Sequence, residues 1–256
     1  MKRAAIALLL AAALGHAQAG RSCEAQPPTV ESVQRGLALA ERTARSLEAS
    51  GAQVVLLARA GQDLRRHGLA WSHLGFAYRD GAHWRVVHKL NECGSAQAAL
   101  YRQGLGEFFL DDPFEYRAGW VVPEPALQAR LLPLLLDDGR VARLHQRDYS
   151  MVAYPWAQRY QQSNQWALET LALAAEPGAT DRTRAQAWLR LQGYEPSTLH
   201  LGPLTRLGAR VARANVTFDD HPNEKRFADR IETVTVDSVF AWLNRSGLGS
   251  PAQVIQ

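Results

Sequence analysis

Two histidines and one serine are the side chains whose types and spacing could support acyl-transfer chemistry in this sequence. His73 and His88 lie 88 − 73 = 15 positions apart in the stretch WSHLGFAYRDGAHWRVVHKL. Ser163 follows much later, in YQQSNQWALET. An imidazole can take a proton from a hydroxyl, and a second imidazole can hold the tautomer of the first. These types could therefore form a nucleophile, its base and an orienting partner.

The two histidines must be brought together by local structure, and the sequence around them predicts a β-hairpin. Residues 72–78 and 84–90 alternate between apolar and polar side chains, and the RDGA turn at 79–82 separates them. Neighbouring strands would place His73 near His88. A histidine on a strand is also commonly a hydrogen-bonded structural residue, and that interpretation stays open for both.

Ser163 lies where a helix is predicted to begin, and two interpretations fit that position. Serine is a preferred N-cap residue, which is the simpler role. The N-terminus of a helix also favours developing negative charge, so Ser163 could be a nucleophile there. Backbone N–H groups, helped by Tyr160 or Gln162, would then stabilise an oxyanion.

The remaining pattern predicts helices at residues 29–49, 95–103, 163–175, 181–191 and 236–243. Strands are predicted at 53–58, in the hairpin and at 149–154. A helix, then strands, then a helix-rich half is typical of the α+β class rather than of a doubly wound sheet.

The N-terminus has the features of a secretory signal peptide at residues 1–19. Lys2 and Arg3 precede an apolar run at 4–14, and the small residues Ala17 and Ala19 frame a cleavage site. We therefore expect a periplasmic or secreted protein without a transmembrane segment. Without Lys2 and Arg3 the formal charge falls from +4 to 4 − 2 = +2, too little to indicate a nucleic-acid partner.

The chain contains two cysteines, Cys23 and Cys93. In an oxidising compartment such a pair most often forms one disulfide, which would join the start of the exported chain to the segment after the hairpin. The alternatives are that Cys93 is a nucleophile beside the histidines or that both thiols are free and unreactive.

Two resemblances add to these interpretations. Residues 53–90, through the motifs HLGF, DG and VVH, resemble the opening of the permuted papain-like enzymes, the group of lecithin:retinol acyltransferase and related bacterial amidases and esterases. Residues 162–166, QSNQW, fall where that group has its nucleophile. The stretches LNECGSAQAALYRQGLGEFFLDD and YQQSNQWALETLA also resemble an uncharacterised family of exported proteobacterial proteins.

The papain-like resemblance implies an antiparallel sheet with packed helices. It also implies a hydrolase or acyltransferase acting on an amide or ester, with Ser163 as nucleophile, His73 as base and His88 as orienter. Peptidoglycan peptides or lipid esters are the expected substrates, and no cofactor or metal is expected. The chain departs from the group by having serine instead of cysteine. The alternative is therefore a catalytically inactive descendant that acts in envelope binding or assembly.

The domain organisation expected from these observations has three parts. The signal peptide at 1–19 precedes a papain-like α+β domain at 20–176. A helical C-terminal extension at 177–256 packs on that domain, with Pro177 and Gly178 marking the boundary. The sequence leaves the oligomeric state open.

Overall fold

A computed structural model describes residues 27–111 and 113–256 of the chain. The signal peptide expected at 1–19 and Cys23 lie outside these residues, so the leader and the Cys23–Cys93 disulfide stay predictions. The elements, in chain order, are α1 (Val30–Ser50), β1 (Val54–Ala60), β2 (His73–Asp80), β3 (His83–Asn91), β4 (Ala98–Gly104), α2 (Leu105–Leu110), β5 (Glu115–Val121), α3 (Pro125–Leu135), α4 (Asp138–Val141), α5 (Ser163–Ala175), α6 (Arg182–Leu191), β6 (Ser197–His200), α7 (Pro203–Ala212), α8 (Asn223–Arg226), β7 (Arg230–Thr233), α9 (Val236–Arg245) and β8 (Gln253–Ile255).

The fold is α+β, as the sequence predicts, and is built on a six-stranded antiparallel sheet. The strand order is β4-β3-β2-β1-β5-β8. The predicted hairpin is confirmed, because β2 pairs with β3 from Phe76↔Val87 to Asp80↔His83. Gly81 takes the left-handed conformation in the turn, with φ 59°. An antiparallel sheet with packed helices does not by itself define the permuted papain-like arrangement.

Two helical layers cover the two sides of the sheet, named here by their helices. On the α1 face, α1 and α2 pack on alternate sheet residues such as Ala77 and Val86. On the α5 face, the intervening residues Phe76 and Val87 join one core with α3, α5, α6 and α9. Because successive strand residues point to opposite sides, each strand side chain can be assigned to one layer.

The prediction of a helix at 95–103 is wrong, because these residues mostly form strand β4. Its alanines and glutamines favour helix locally, but β4 forms an antiparallel ladder along β3 from Arg85↔Gly104 to Asn91↔Ala98. Tertiary pairing overrides this weak intrinsic preference. The strand predicted at 149–154 is also wrong, since this stretch consists of turns held by bonds such as Tyr149 N–H to Ala96 O (2.8 Å).

The segment after Pro177 is not wholly helical. Strands β6 and β7 pair antiparallel and form a small second sheet, with Ile231 in a core shared with Val216 and Phe218. Strand β8 pairs with β5 and so belongs to the main sheet. None of the helices in residues 27–111 and 113–256 is both long and apolar enough to cross a bilayer.

Candidate functional site

The hairpin brings His73 and His88 into direct contact on the α1 face. His73 Nε2 and His88 Nδ1 are 2.8 Å apart, and His88 Nε2 lies 2.8 Å from Gln103 Oε1 on β4. Both imidazoles pack on Phe108 of α2, with ring centroids 6.0 Å and 5.3 Å away. The predicted histidine pair therefore exists, with Gln103 as a third member that the sequence analysis missed.

The hydrogen-bond chain fixes the tautomers of both rings. The Gln103 carbonyl oxygen only accepts, so His88 Nε2 carries the proton that it donates. His88 Nδ1 is then an acceptor and receives the Nε2–H of His73. This leaves the lone pair on His73 Nδ1, which has no hydrogen-bond partner among the residues described here. A tautomer fixed by a partner and an available lone pair are the features of an oriented general base.

Both histidines are held neutral by their surroundings. Burial, followed by the positive charge of Arg59, lowers the pKa of His73 well below its usual range. The same two causes lower the pKa of His88 to about 4. Arg59 lies over the Phe108 ring at 4.9 Å and is ion-paired with Asp111.

Ser163 is not brought to this pair, because it begins a helix on the other side of the sheet. Helix α5 packs on the α5 face, where Trp166 contacts Phe76 edge-on at 6.0 Å. His88 lies on the opposite side, since the next residue, Lys89, reaches the α5 layer. The structure thus joins His73 with His88 and separates both from Ser163 by the thickness of the sheet.

The start of α5 is occupied by structural contacts. Gln162 is the N-cap, in place of Ser163: its Oε1 accepts from Asn164 N–H at 3.0 Å, and its Nε2 donates to Thr233 Oγ1 at 3.0 Å. Ser163 is only 5% exposed and lies beside Tyr149, whose phenol pKa is raised by burial. These contacts use N–H and amide groups that an oxyanion would need.

Tyr160, the other residue predicted to support an oxyanion, lies in the loop before α5. Its phenol lies beside Asp219, and burial together with this carboxylate raises its pKa. Its backbone oxygen accepts a hydrogen bond from Arg182 Nη2 at 3.1 Å. Tyr160 therefore belongs to the framework that holds the loop before α5.

A buried lysine approaches the start of α5 from the sheet. Lys89 Nζ donates to the Gln146 backbone oxygen and to Gln161 Oε1, 2.9 Å away. Burial, with a contribution from Arg182, lowers the pKa of Lys89 to about 7. The sequence analysis did not single out Lys89, although a lysine between the buried positions of a strand is a recognisable signal.

An ion pair buried between α5 and α6 explains much of the polar motif around Ser163. Glu169 accepts from Arg182 Nε at 2.7 Å and from Gln186 Nε2 at 2.7 Å. Gln161 and Gln165, eight and four residues before Glu169, also donate to its carboxylate. The spacing of Gln165 and Glu169 could have shown this face, because residues four apart lie together on a helix.

A pocket of about 410 Å³ lies where α3, α4 and α5 end. Arg130, Arg140 and Arg143 line it, and no acidic side chain does. Arg130 Nε donates to Ala174 O at 2.9 Å, and Arg143 Nε donates to Thr180 O at 3.1 Å. These bonds anchor both guanidinium groups, and Arg130 Nη2 also lies 3.8 Å from Glu124 Oε1. Arg140 and Arg143 form no ion pair with any residue in the described part of the chain.

These features define an α+β protein with an antiparallel sheet, a partly buried histidine pair on one face and a buried ion pair on the other. Residues 46–243 match the family described as an uncharacterized protein conserved in bacteria, DUF2145. The match covers more than half of the chain, and the protein belongs to this family. No curated protein and no solved structure matches the chain.

Proposed function

We propose that this chain is a non-catalytic ligand-binding protein of the cell envelope. The observation that carries the proposal is the sheet that lies between Ser163 and the His73–His88 pair. A serine hydroxyl is a weak nucleophile unless a base within hydrogen-bond reach takes its proton. Ser163 has no such contact with His73, so a Ser-His-His hydrolase or acyltransferase is not supported.

The contacts on each face support structural roles for these residues instead. The histidine chain links β2, β3 and β4 through His73, His88 and Gln103. The Gln162 side chain attaches the start of α5 to β7 through Thr233. The envelope location follows from the expected leader at 1–19 and is part of the proposal.

The pocket with three arginines is the ligand site of this proposal. Its volume is in the range of small-molecule sites. Its remaining wall is largely apolar, formed by Ala129, Pro133, Leu134, Leu173, Ala174 and Pro177. Guanidinium groups bind carboxylates and phosphates through paired N–H donors. The ligand class is therefore a carboxylate or phosphate joined to an apolar group.

The first arm of the test examines catalysis with a fluorophosphonate probe that labels activated serines. We expect equal labelling of the wild type and of Ser163→Ala, because Ser163 is buried and no hydrogen bond joins it to a basic side chain among the described residues. His73→Ala provides the second comparison and is also expected to leave the labelling unchanged. Labelling that both substitutions abolish would establish the hydrolase and overturn the proposal.

The second arm measures binding of octyl phosphate by calorimetry, below its micellar concentration. The double variant Arg140→Gln/Arg143→Gln should bind about thirtyfold more weakly or worse, because each of the two lost charged contacts is worth about 1 kcal/mol or more. Arg42→Gln/Arg45→Gln on α1 removes the same charge elsewhere and should bind as the wild type does. Equal binding by all three proteins would rule out this pocket.

A further inference from the structure

Helix α7 carries an apolar surface that its own fold leaves uncovered. No residue of α7 is buried, although the helix holds two leucines and a valine. Leu204 is 85% exposed, Leu207 60% and Val211 80%. Their spacing of three and four residues places them on one side of the helix. We call these three residues the α7 stripe.

The opposite side of α7 attaches the helix to the small second sheet. Ala209 packs against the core that contains Ile231 of β7. Arg206 forms an ion pair with Asp229 at 2.5 Å, just before β7. At 100° per residue, Arg206 and Ala209 point away from the α7 stripe. This attachment therefore orients the α7 stripe towards solvent.

The charges on α7 are positive, and Arg210 is the one closest to the α7 stripe. Residues 203–213 contain Arg206, Arg210 and Arg213 and no acidic residue. Arg210 is exposed and makes no ion pair with any residue that the structure describes. Arg66, from the loop before β2, lies close enough to Arg213 to lower the pKa of that guanidinium, together with burial as the larger cause. Only Arg206 has its charge neutralised, by Asp229.

We propose that the α7 stripe docks on the surface of an anionic phospholipid bilayer. Leucine and valine on one side of a short helix, flanked by arginine, match the acyl chains and the charged headgroups of such a surface. A second copy of this chain is a poorer occupant, because its α7 would bring a second surface that carries arginine and no acidic residue. The surface shares no residue with the arginine pocket, so this inference goes beyond the proposed function and does not depend on it.

The experiment is sedimentation of the purified protein with vesicles of phosphatidylglycerol and phosphatidylethanolamine, compared with vesicles of phosphatidylcholine alone. We expect binding to the anionic vesicles that decreases with added salt, because arginine charge contributes to it. Leu204→Ser/Leu207→Ser/Val211→Ser should weaken this binding about tenfold or more. Arg210→Glu should weaken binding to the anionic vesicles and leave that to phosphatidylcholine unchanged.

The matched control replaces two leucines and one valine that are exposed elsewhere, in Val30→Ser/Leu136→Ser/Leu191→Ser. This control should bind the anionic vesicles as the wild type does. Both triple variants should keep the circular dichroism and thermal unfolding of the wild type, because the substituted α7 residues are not buried. The α7 variant should also keep its affinity for octyl phosphate, which separates this inference from the pocket.

Three results would each overturn the inference. The wild-type protein could stay in the supernatant with anionic vesicles, or the α7 variant could bind these vesicles as well as the wild type does. The third result is a wild-type dimer in light scattering that the α7 variant converts to a monomer, because a second copy would then cover the α7 stripe.

Discussion

At the scale of residues, the two histidines of the His73–His88 pair contact each other, but Ser163 does not contact either of them. The two rings meet at hydrogen-bond distance, as a base and its orienter would. Their pKa values are nevertheless lowered by burial and by Arg59, and Ser163 lies beyond the sheet. The chain from His73 to Gln103 therefore acts as a polar connection between three strands.

This interpretation makes a pH prediction that follows from the neutral state of the pair. The unfolded chain binds protons near pH 6.5, whereas folded His88 does so only at about 4. The stability contribution is complete above pH 6.5 and is lost as the pH falls towards 4. For His88 the loss by pH 4 is about 3 kcal/mol. Urea unfolding between pH 4 and 8 measures it.

The direct readout is the imidazole NMR signal of each histidine. His73 and His88 should not titrate between pH 8 and 5.5, because Arg59 and burial keep both rings neutral. His83, which is exposed at the hairpin turn, serves as the comparison in the same spectra. A titration of His73 near pH 6.5 would mean that the pair is accessible and would reopen a role for it as a base.

At the scale of elements, the position of α5 depends on charges that are buried with it. Glu169 is 1% exposed and its partner Arg182 is nearly as buried. Arg182 also donates to the backbone oxygens of Gln158 and Tyr160 in the loop before α5. One guanidinium thus holds α5, α6 and the loop that leads to Ser163.

We expect Glu169→Gln to destabilise the folded protein by about 3–5 kcal/mol, because it leaves the buried Arg182 without its counter-charge. Chemical denaturation measures the change in the free energy of unfolding. Glu41→Gln, in the exposed α1 pair with Arg45, should change it by less than about 1 kcal/mol. The double variant Glu169→Gln/Arg182→Gln should lose less free energy of unfolding than the two single variants lose when their losses are added. Additive losses would contradict the coupling.

Comparison of single elements shows what the sequence could predict. The hairpin, α1 and α5 were predicted because alternation, helical spacing and turn residues act locally. Strand β4 was not, because its pairing with β3 overrides its helical composition. The histidine contact was predicted from the hairpin, since both rings are on adjacent strands. The separation of Ser163 from the two histidines was not predicted. The side of the sheet on which α5 packs depends on contacts between residues that are far apart in the sequence.

At the scale of the whole molecule, the hydrophobic core of the α5 face continues across the domain boundary expected at Pro177. Of the 32 described residues that form the core of the α5 face, ten lie after that proline. Trp242 of α9 is 1% exposed, and it packs edge-on to Tyr194 with ring centroids 5.8 Å apart. Strand β8 extends the main sheet by pairing with β5. The segment after Pro177 thus supplies part of the core that covers the sheet.

We therefore expect a fragment of residues 27–176 to lack a cooperative unfolding transition, because removing α6 and α9 exposes the apolar side of α5 and the sheet. The full chain should unfold in one transition by both far-ultraviolet circular dichroism and tryptophan fluorescence. Removal of residues 251–256 alone, which takes away only β8 and its flanks, is the control and should keep that transition at a lower midpoint. A fragment of 27–176 that unfolds cooperatively, with native near-ultraviolet signal, would show instead that the first 176 residues contain an independent domain and that the later segment is an extension.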